Sequence, residues 1–202
     1  MKMTWVVLAL VVLCCGAFAE DELESIFNGK DLDGWKVPEP NPWWSAKDGV
    51  LTGVEDEKLK GNVIETKKDY QDCIIEAEVK WNGDIDSGIF VRKGQKWQCQ
   101  IGVSRSLKVD MTCSIYVPKG PTEPKGGYVR KATNVDKLLK AGDWNKIRIE
   151  CKGDHYKIAL NGEVVLDTDL PGYNEPGPIG LQIHPGVKDM KVEFRNLKAK
   201  AL

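Results

Sequence analysis

Histidine is scarce in this chain: its 202 residues include only two, His155 and His184. There is no His-Glu-x-x-His pair and no Cys-x-x-Cys, so the usual zinc-ligand spacings are missing. A Gly-x-Ser-x-Gly elbow and a phosphate loop are also absent, which sets nucleophilic and nucleotide-driven chemistry aside. Neither sign of charge dominates, with 30 acidic and 29 basic residues. Nucleic acid held by counterion release needs a basic surface, so no nucleic-acid partner is expected. Helical spacing is nearly absent. The one candidate helix is short, Val135 to Lys140, with Asn134 at its N-cap. Asp84-Ile85-Asp86-Ser87-Gly88 starts like a calcium loop but lacks the third oxygen ligand and the closing Glu, so it reads as a turn. The expected chemistry needs no metal and no cofactor.

What is present describes a folded, exported domain. Apolar residues make up 42% of the chain and there are seven Trp, which excludes a disordered tail. Lys2, the apolar run Trp5 to Leu13 and Ala17-Phe18-Ala19 have the order of an export signal. Residues 1–19 are expected to be removed, leaving a single domain over 20–202 in a periplasmic or extracellular setting. A membrane anchor is the rival reading, but the run is too short for a span, which needs roughly twenty apolar residues. A lipoprotein acylated at Cys15 is a further variant. No other stretch is apolar enough to cross a bilayer. The remaining cysteines are Cys73, Cys99, Cys113 and Cys151, all on the apolar phase of their segments. They read as structural, either buried thiols or core disulfides, and four cysteines allow three pairings.

Alternation with period two is widespread. Cys73, Ile75, Ala77, Val79 and Trp81 share one face, while Glu76, Glu78 and Lys80 point the other way. Ile147, Ile149 and Cys151 alternate with charged residues, as do Tyr156, Ile158 and Leu160 with His155 and Lys157. Asn161-Gly162 then separates two such runs, the sign of a two-residue hairpin turn. The last strand is expected over Lys191 to Leu197. Many strands, frequent Gly and Pro and almost no helix predict an all-β fold, a two-sheet antiparallel β-sandwich of the jelly-roll kind. The Pro- and Gly-rich connection from Val117 to Asp143 breaks the rhythm and is either a functional loop or a surface insertion.

The sides of the strands that do not face the core carry the chemistry. Phe90 and Arg92 lie opposite Ile89 and Val91; Gln98 and Gln100 lie opposite Trp97, Cys99 and Ile101. Ser114 and Tyr116, and Gln182 and His184, sit in the same way on two further strands. Amides and aromatics on such a face suit hydrogen bonding and stacking on a sugar; the plainer reading is an ordinary wet sheet surface. Glu76 and Glu78 are the sharpest acid/base candidates. Two residues apart on a strand, their Cα atoms are roughly 6.5 Å apart, and carboxyl pairs about 5 to 9.5 Å apart serve glycoside cleavage. Two surface glutamates without a role is the alternative.

Ile26-Phe27-Asn28-Gly29-Lys30-Asp31-Leu32-Asp33-Gly34-Trp35 resembles the opening of the 3-keto-disaccharide hydrolase domain family, also described as 3-keto-glucoside lyase/hydratase. Further similar segments follow in order: Trp44 with Asp48-Gly49-Val50-Leu51, Thr66 and Tyr70, and Asp86-Ser87-Gly88-Ile89-Phe90-Val91-Arg92. Ala141-Gly142-Asp143-Trp144-Asn145, Leu160-Asn161-Gly162, Gly177 to His184 and Val192 to Leu197 complete the set. The resemblance implies a concanavalin A-like sandwich with a concave binding face and cleavage of 3-oxidised glucosides by elimination and hydration. The implied partner is an oxidised glucoside. The expected catalytic set is Glu76, Glu78, Arg92, Tyr116 and His184. Glu76 or Glu78 is the base, Tyr116 or His184 the acid, and Arg92 with Gln182 the donors to the enolate or to sugar hydroxyls. The expected substrate-binding set is Trp44, Ser87, Phe90, Gln98, Gln100 and Gln182, with Trp43 beside Trp44 as a second stacking platform. One departure stands out. Where the family commonly has an aromatic-Glu-x-Gln segment, this chain has Trp97-Gln98-Cys99-Gln100, and Gln98 cannot exchange a proton near neutral pH. Asp86 also replaces the usual Asn. A non-catalytic carbohydrate-binding module on the same scaffold is the alternative these changes favour.

Overall fold

The computed structural model describes residues 22–92, 95–117 and 127–202. The expected export signal over 1–19, and residues 118–126 of the Pro/Gly-rich connection, lie outside the described residues.

In chain order the first strands are β1 (Glu24–Ser25), β2 (Trp35–Lys36), β3 (Trp44–Lys47), β4 (Val50–Val54) and β5 (Asn62–Tyr70). Then come β6 (Cys73–Trp81), β7 (Asp86–Phe90), β8 (Gln98–Ser104), β9 (Val109–Asp110), β10 (Ile115–Val117) and β11 (Gly127–Arg130). A single turn of helix, α1 (Val135–Leu138), precedes β12 (Asn145–Lys152), β13 (His155–Leu160), β14 (Glu163–Asp169), β15 (Gly177–Ile183) and β16 (Lys191–Ala201). They form two antiparallel sheets. Sheet I has the order β14-β13-β12-β6-β16-β4-β3, with β1 on β16. Sheet II has the order β11-β10-β8-β7-β15-β5-β2, with β9 on β8. The all-β sandwich expected from the alternation is the fold observed.

One face of each sheet makes the core. Sheet I supplies Cys73, Ile75, Ala77, Val79, Ile147, Ile149, Tyr156, Ile158, Val192 and Phe194; sheet II supplies Ile64, Ile89, Cys99, Ile101, Ile115, Ile179, Leu181 and Ile183. Period-two alternation puts these residues inside because successive strand side chains point to opposite faces. In β16 the phase slips. Asn196 takes a φ of 50° and the register with β6 shifts between Arg195 and Lys198. This bulge returns Leu197 and Ala199 to the core after Phe194, and the strand runs on to Ala201, past the end expected at Leu197.

The turns also explain themselves. Asn161 (φ 51°) and Gly162 (φ 96°) are both left-handed, as a two-residue hairpin between β13 and β14 requires. The N-cap expectation is corrected. Asn134 is itself left-handed (φ 59°) and makes no side-chain cap bond, and the helix is one turn long. Gly102 carries the tightest backbone contact on β8: at φ 81°, a Cβ there would lie 2.4 Å from the Ile85 carbonyl oxygen. That carbonyl already accepts the Val103 N–H at 2.7 Å. Gly102→Ala should therefore cost about 2 kcal/mol or more, since the clash is with backbone and the φ is unfavourable. A lower urea midpoint checks this; an unchanged midpoint would contradict the packing described.

Candidate functional site

The outer face of sheet II is built row by row from strand register. Tyr116 lies opposite Gln98, Gln98 opposite Phe90, Phe90 opposite Gly180, and Gly180 opposite Glu65. One step along, Gln100 lies opposite Gly88, and Gln182 opposite Val63. At the next row Asp86 lies opposite Gly102, and the His184 N–H donates to the Asp86 carbonyl at 3.3 Å. Four strands thus bring Phe90, Gln98, Gln100, Tyr116 and Gln182 to one face, with His184 at its end. Gly88 and Gly180 leave a floor without side chains. A Cβ on Gly88 would lie 2.7 Å from Gln98 Cδ, so the Gln98 amide lies flat over the strand.

A chain of hydrogen bonds crosses this face. Gln98 Nε2 donates to Gln100 Oε1 at 2.5 Å, and Gln100 Nε2 donates to Asp86 Oδ1 at 2.8 Å. Asp86 Oδ2 accepts the Arg105 N–H at 2.7 Å and faces His184 Nε2 at 3.8 Å. Asp86 is only 3% exposed, and the two glutamines 1% each. His184 Nδ1 lies 2.8 Å from the Pro185 carbonyl. A carbonyl only accepts, so the neutral ring carries its proton on Nδ1 and leaves Nε2 without one. Tyr116 OH pairs with Ser106 Oγ at 3.1 Å. Two acceptors are left over. Gln98 Oε1 and Gln182 Oε1 are both buried and have no hydrogen-bond partner. A buried unpaired amide oxygen is costly, roughly 1–3 kcal/mol, and in a native protein it is commonly met by a ligand or water.

Other expected site residues lie elsewhere. Glu76 and Glu78 are on the outer face of sheet I, the opposite side of the sandwich, which corrects the single shared face expected for Glu, Arg, Gln, Tyr and His. Glu76 is paired with Lys146 (2.7 Å) and Arg148 (2.8 Å), and Glu78 with Arg195 (2.6 Å) and Asn196 (3.0 Å). Burial pushes both carboxyls up. The hydrogen bonds and charges of these partners outweigh it and hold both below the usual carboxylate range. That is the reverse of the raised pKa a general acid needs. Arg92 is not on the face either. At φ 69° it leaves the strand and turns its guanidinium inward. Nε donates to Gln71 O (2.6 Å), Nη1 to Gly153 O (2.8 Å), Tyr173 O (3.2 Å) and the Tyr156 hydroxyl, and Nη2 to Asp72 Oδ1 (3.1 Å). These bonds to all three of its nitrogens tie loops together. Trp44 is core: its Nε1 donates to Asn62 Oδ1 at 2.8 Å and its ring covers Gly53. Ser87 points inward and its hydroxyl donates to the Gln182 carbonyl at 2.7 Å, lacing β7 to β15. Trp43 is half-buried, with Nε1 3.3 Å from Asp56 Oδ1.

Asp86 is the polar group of this face that the sequence reading did not place there. Its signal was present: it is in phase with Gly88 and Phe90, but the Asp-rich start of the segment reads as a turn. Two outcomes follow from these placements. Arg92→Leu should cost about 3 kcal/mol, because several buried carbonyls lose their donor, while the folded variant keeps its ligand affinity. Equilibrium unfolding together with a ligand titration checks both parts. Glu76→Gln should lower stability by about 1 kcal/mol at neutral pH. A carboxyl with a depressed folded-state pKa stabilises above its unfolded pKa and loses that contribution as pH falls through the folded one. The difference between Glu76→Gln and the parent should therefore shrink on acidification and vanish below the depressed pKa, as read from unfolding curves along a pH series.

Residues 22–200 match the 3-keto-alpha-glucoside-1,2-lyase-like domain family. The chain is similar to a Parabacteroides distasonis protein described as a glycosyl hydrolase, at 25% identity over 90% of this chain and 100% of that one, with a TM-score of 0.63. A second such P. distasonis protein is 20% identical over 88% and 92%, TM-score 0.62. The carbohydrate binding module CBM66 from Bacillus subtilis is 16% identical over 83% and 96%, TM-score 0.60. The likenesses below 25% concern the fold alone. No curated protein sequence is matched. With the family match covering nearly the whole described chain, and a sheet face of amides and one His–Asp pair beneath it, the chain belongs to the 3-keto-alpha-glucoside-1,2-lyase-like domain family and is a carbohydrate-active β-sandwich.

Proposed function

We propose that the outer face of sheet II binds 3-oxidised glucosides and cleaves them by elimination followed by hydration, after export of the protein. The observation that carries this reading is the pair of buried, unpartnered amide oxygens, Gln98 Oε1 and Gln182 Oε1, beside the Asp86–His184 pair. Hydroxyl groups of a sugar supply the missing donors. A ketone at C3 acidifies the C2 proton. His184 Nε2 takes that proton, and Asp86 at 3.8 Å stabilises the imidazolium that forms. The electron pair left on C2 spreads to the C3 oxygen, where the Gln182 amide N–H donates to the enolate. The pair then returns to form the C1–C2 double bond as the C1–O bond breaks, and Tyr116 OH protonates the departing oxygen. Water adds back at C1 of the enone, giving the free 3-keto sugar. No proton exchange at Gln98 is required, so Gln98 acts as an acceptor that orients the sugar. The order of Lys2, the apolar run Trp5 to Leu13 and Ala17-Phe18-Ala19 supports export and a periplasmic or extracellular site of action.

The rival reading is a non-catalytic sugar-binding module, favoured by Gln98 standing where the family commonly has Glu. Incubating the purified protein with 3-keto-trehalose or a methyl 3-keto-α-glucoside separates the two. The lyase reading expects release of the aglycone. It expects His184→Gln to slow that release by about 10²- to 10⁴-fold, the usual worth of a general base, and Asp86→Asn to slow it less while shifting the pH profile. Binding without release in the parent protein would establish the module instead, and neither binding nor release would overturn both.

A further inference from the structure

The four cysteines of the domain are not scattered through the core. Cys73 on β6 lies directly opposite Cys151 on β12 in sheet I, with both side chains in the core. In sheet II, Cys99 on β8 pairs with Ile115, two residues after Cys113, which precedes β10. Cys113 is left-handed at φ 62°, its N–H donates to Gln100 O at 2.8 Å, and Gln100 N–H donates to Ser114 O at 3.0 Å. This local kink beside β8 turns the Cys113 side chain to the core, against Cys99. All four are fully buried thiols. They do not converge on one point: among the described residues no three His, Cys, Asp or Glu side chains are placed to hold a metal.

We propose that Cys73 with Cys151 and Cys99 with Cys113 are two disulfide-forming pairs, closed when the chain folds in the presence of an oxidised dithiol or glutathione. This inference does not rest on the sugar reading. Cys73 and Cys151 are opposite residues on antiparallel strands, whose Cα atoms stand about 4.5 to 5.5 Å apart, inside the range of about 4.4 to 6.8 Å that a disulfide spans; Cys99 is opposite Ile115, and the kink at Cys113 brings the second pair together diagonally. The other two pairings would join sheet I to sheet II, and packed sheets stand about 10 Å apart. The structure thus selects one connectivity of three. In it the short loop from 99 to 113 nests inside the long loop from 73 to 151.

The chemistry is thiol–disulfide exchange. One thiolate attacks the disulfide of the oxidant and forms a mixed disulfide, releasing one oxidant thiol. The partner thiolate then displaces the second. The two thiol protons end on the oxidant's two sulfurs, the bridge forms, and the oxidant is reduced to a dithiol or to two glutathione thiols. Because the folded core excludes any oxidant, closure belongs to folding rather than to the finished domain. The second bridge has a local consequence. Cys99 sits between Gln98 and Gln100, and Cys113 comes three residues before Tyr116, so this bridge would pin together the two strands that carry one wall of the sugar face.

The test is refolding of the reduced, denatured protein in mixed oxidised and reduced glutathione, followed by alkylation and peptide mapping. The expected result is two linked peptide pairs, 73 with 151 and 99 with 113, no alkylated thiol, and a higher urea midpoint than the reduced protein. Four alkylated cysteines in native refolded protein, or any link between the two sheets, would overturn it. Cys73→Ser/Cys151→Ser and Cys99→Ser/Cys113→Ser double variants give an independent reading: each should still form the bridge it retains. If one pair is too tightly packed to accept Ser and the variant fails to fold, the parent map alone decides.

Discussion

A side chain on the outer face of β7 or β8 loses its water without gaining the hydrophobic core. Asp86, Gln98 and Gln100 are almost fully buried on the side of sheet II away from the core cluster. A buried polar group without a partner is costly, so these residues must satisfy one another or a ligand. The chain from Gln98 through Gln100 to Asp86 and the Arg105 amide does most of this internally. It also fixes rotamers, so the amides present their remaining acceptors in a set geometry. The glycine at 88 follows from the same constraint, since the Gln98 amide lying flat on the sheet leaves no room for a Cβ below it, while at Gly180 a Cβ would press on Val63 and Phe90.

The two outer faces solve their polarity differently, and the contrast locates the site. On sheet I the charges neutralise one another in pairs. Glu76 meets Lys146 and Arg148, Glu78 meets Arg195, and Lys80 meets Glu193 at 3.2 Å. Trp144 lies under Arg195 and Lys80 at 4.1 and 4.8 Å. Such a surface is complete by itself. On sheet II amides predominate over ions, the one carboxylate at the centre is bonded to an amide and a backbone N–H, and two acceptors stay open. A neutral ligand rich in hydroxyl groups fits the second face better than the first.

Much of the architecture was legible in the residues. The alternation at 73–81, 147–151 and 156–160 marked the core side chains correctly, and Asn161-Gly162 marked its hairpin. Gln98, Gln100, Tyr116, Gln182 and His184 were placed on the outward phase, where they are. Three things were not legible. Alternation tells which side of a strand a residue takes but not which sheet the strand joins, so Glu76 and Glu78 were grouped with residues on the far side of the molecule. A left-handed φ breaks the alternation without any mark in composition, which moved Arg92 from the expected face into a buried knot of carbonyls and returned Leu197 to the core. Finally, Trp44 and Ser87 have the right chemistry for a sugar, but long-range contacts with Asn62 and the Gln182 carbonyl use it for structure.

The central claim is that sugar engages the outer face of sheet II and not that of sheet I. The most direct measurement is a nitrogen–proton correlation spectrum of the folded protein titrated with a methyl 3-keto-α-glucoside, following the side-chain amide signals of glutamine and the indole signals of tryptophan. The account predicts saturable shifts at the Gln98, Gln100 and Gln182 amides with the Trp144 indole unmoved. Saturable shifts confined to Trp144 and its neighbours on sheet I, with the three glutamines unchanged, would contradict it.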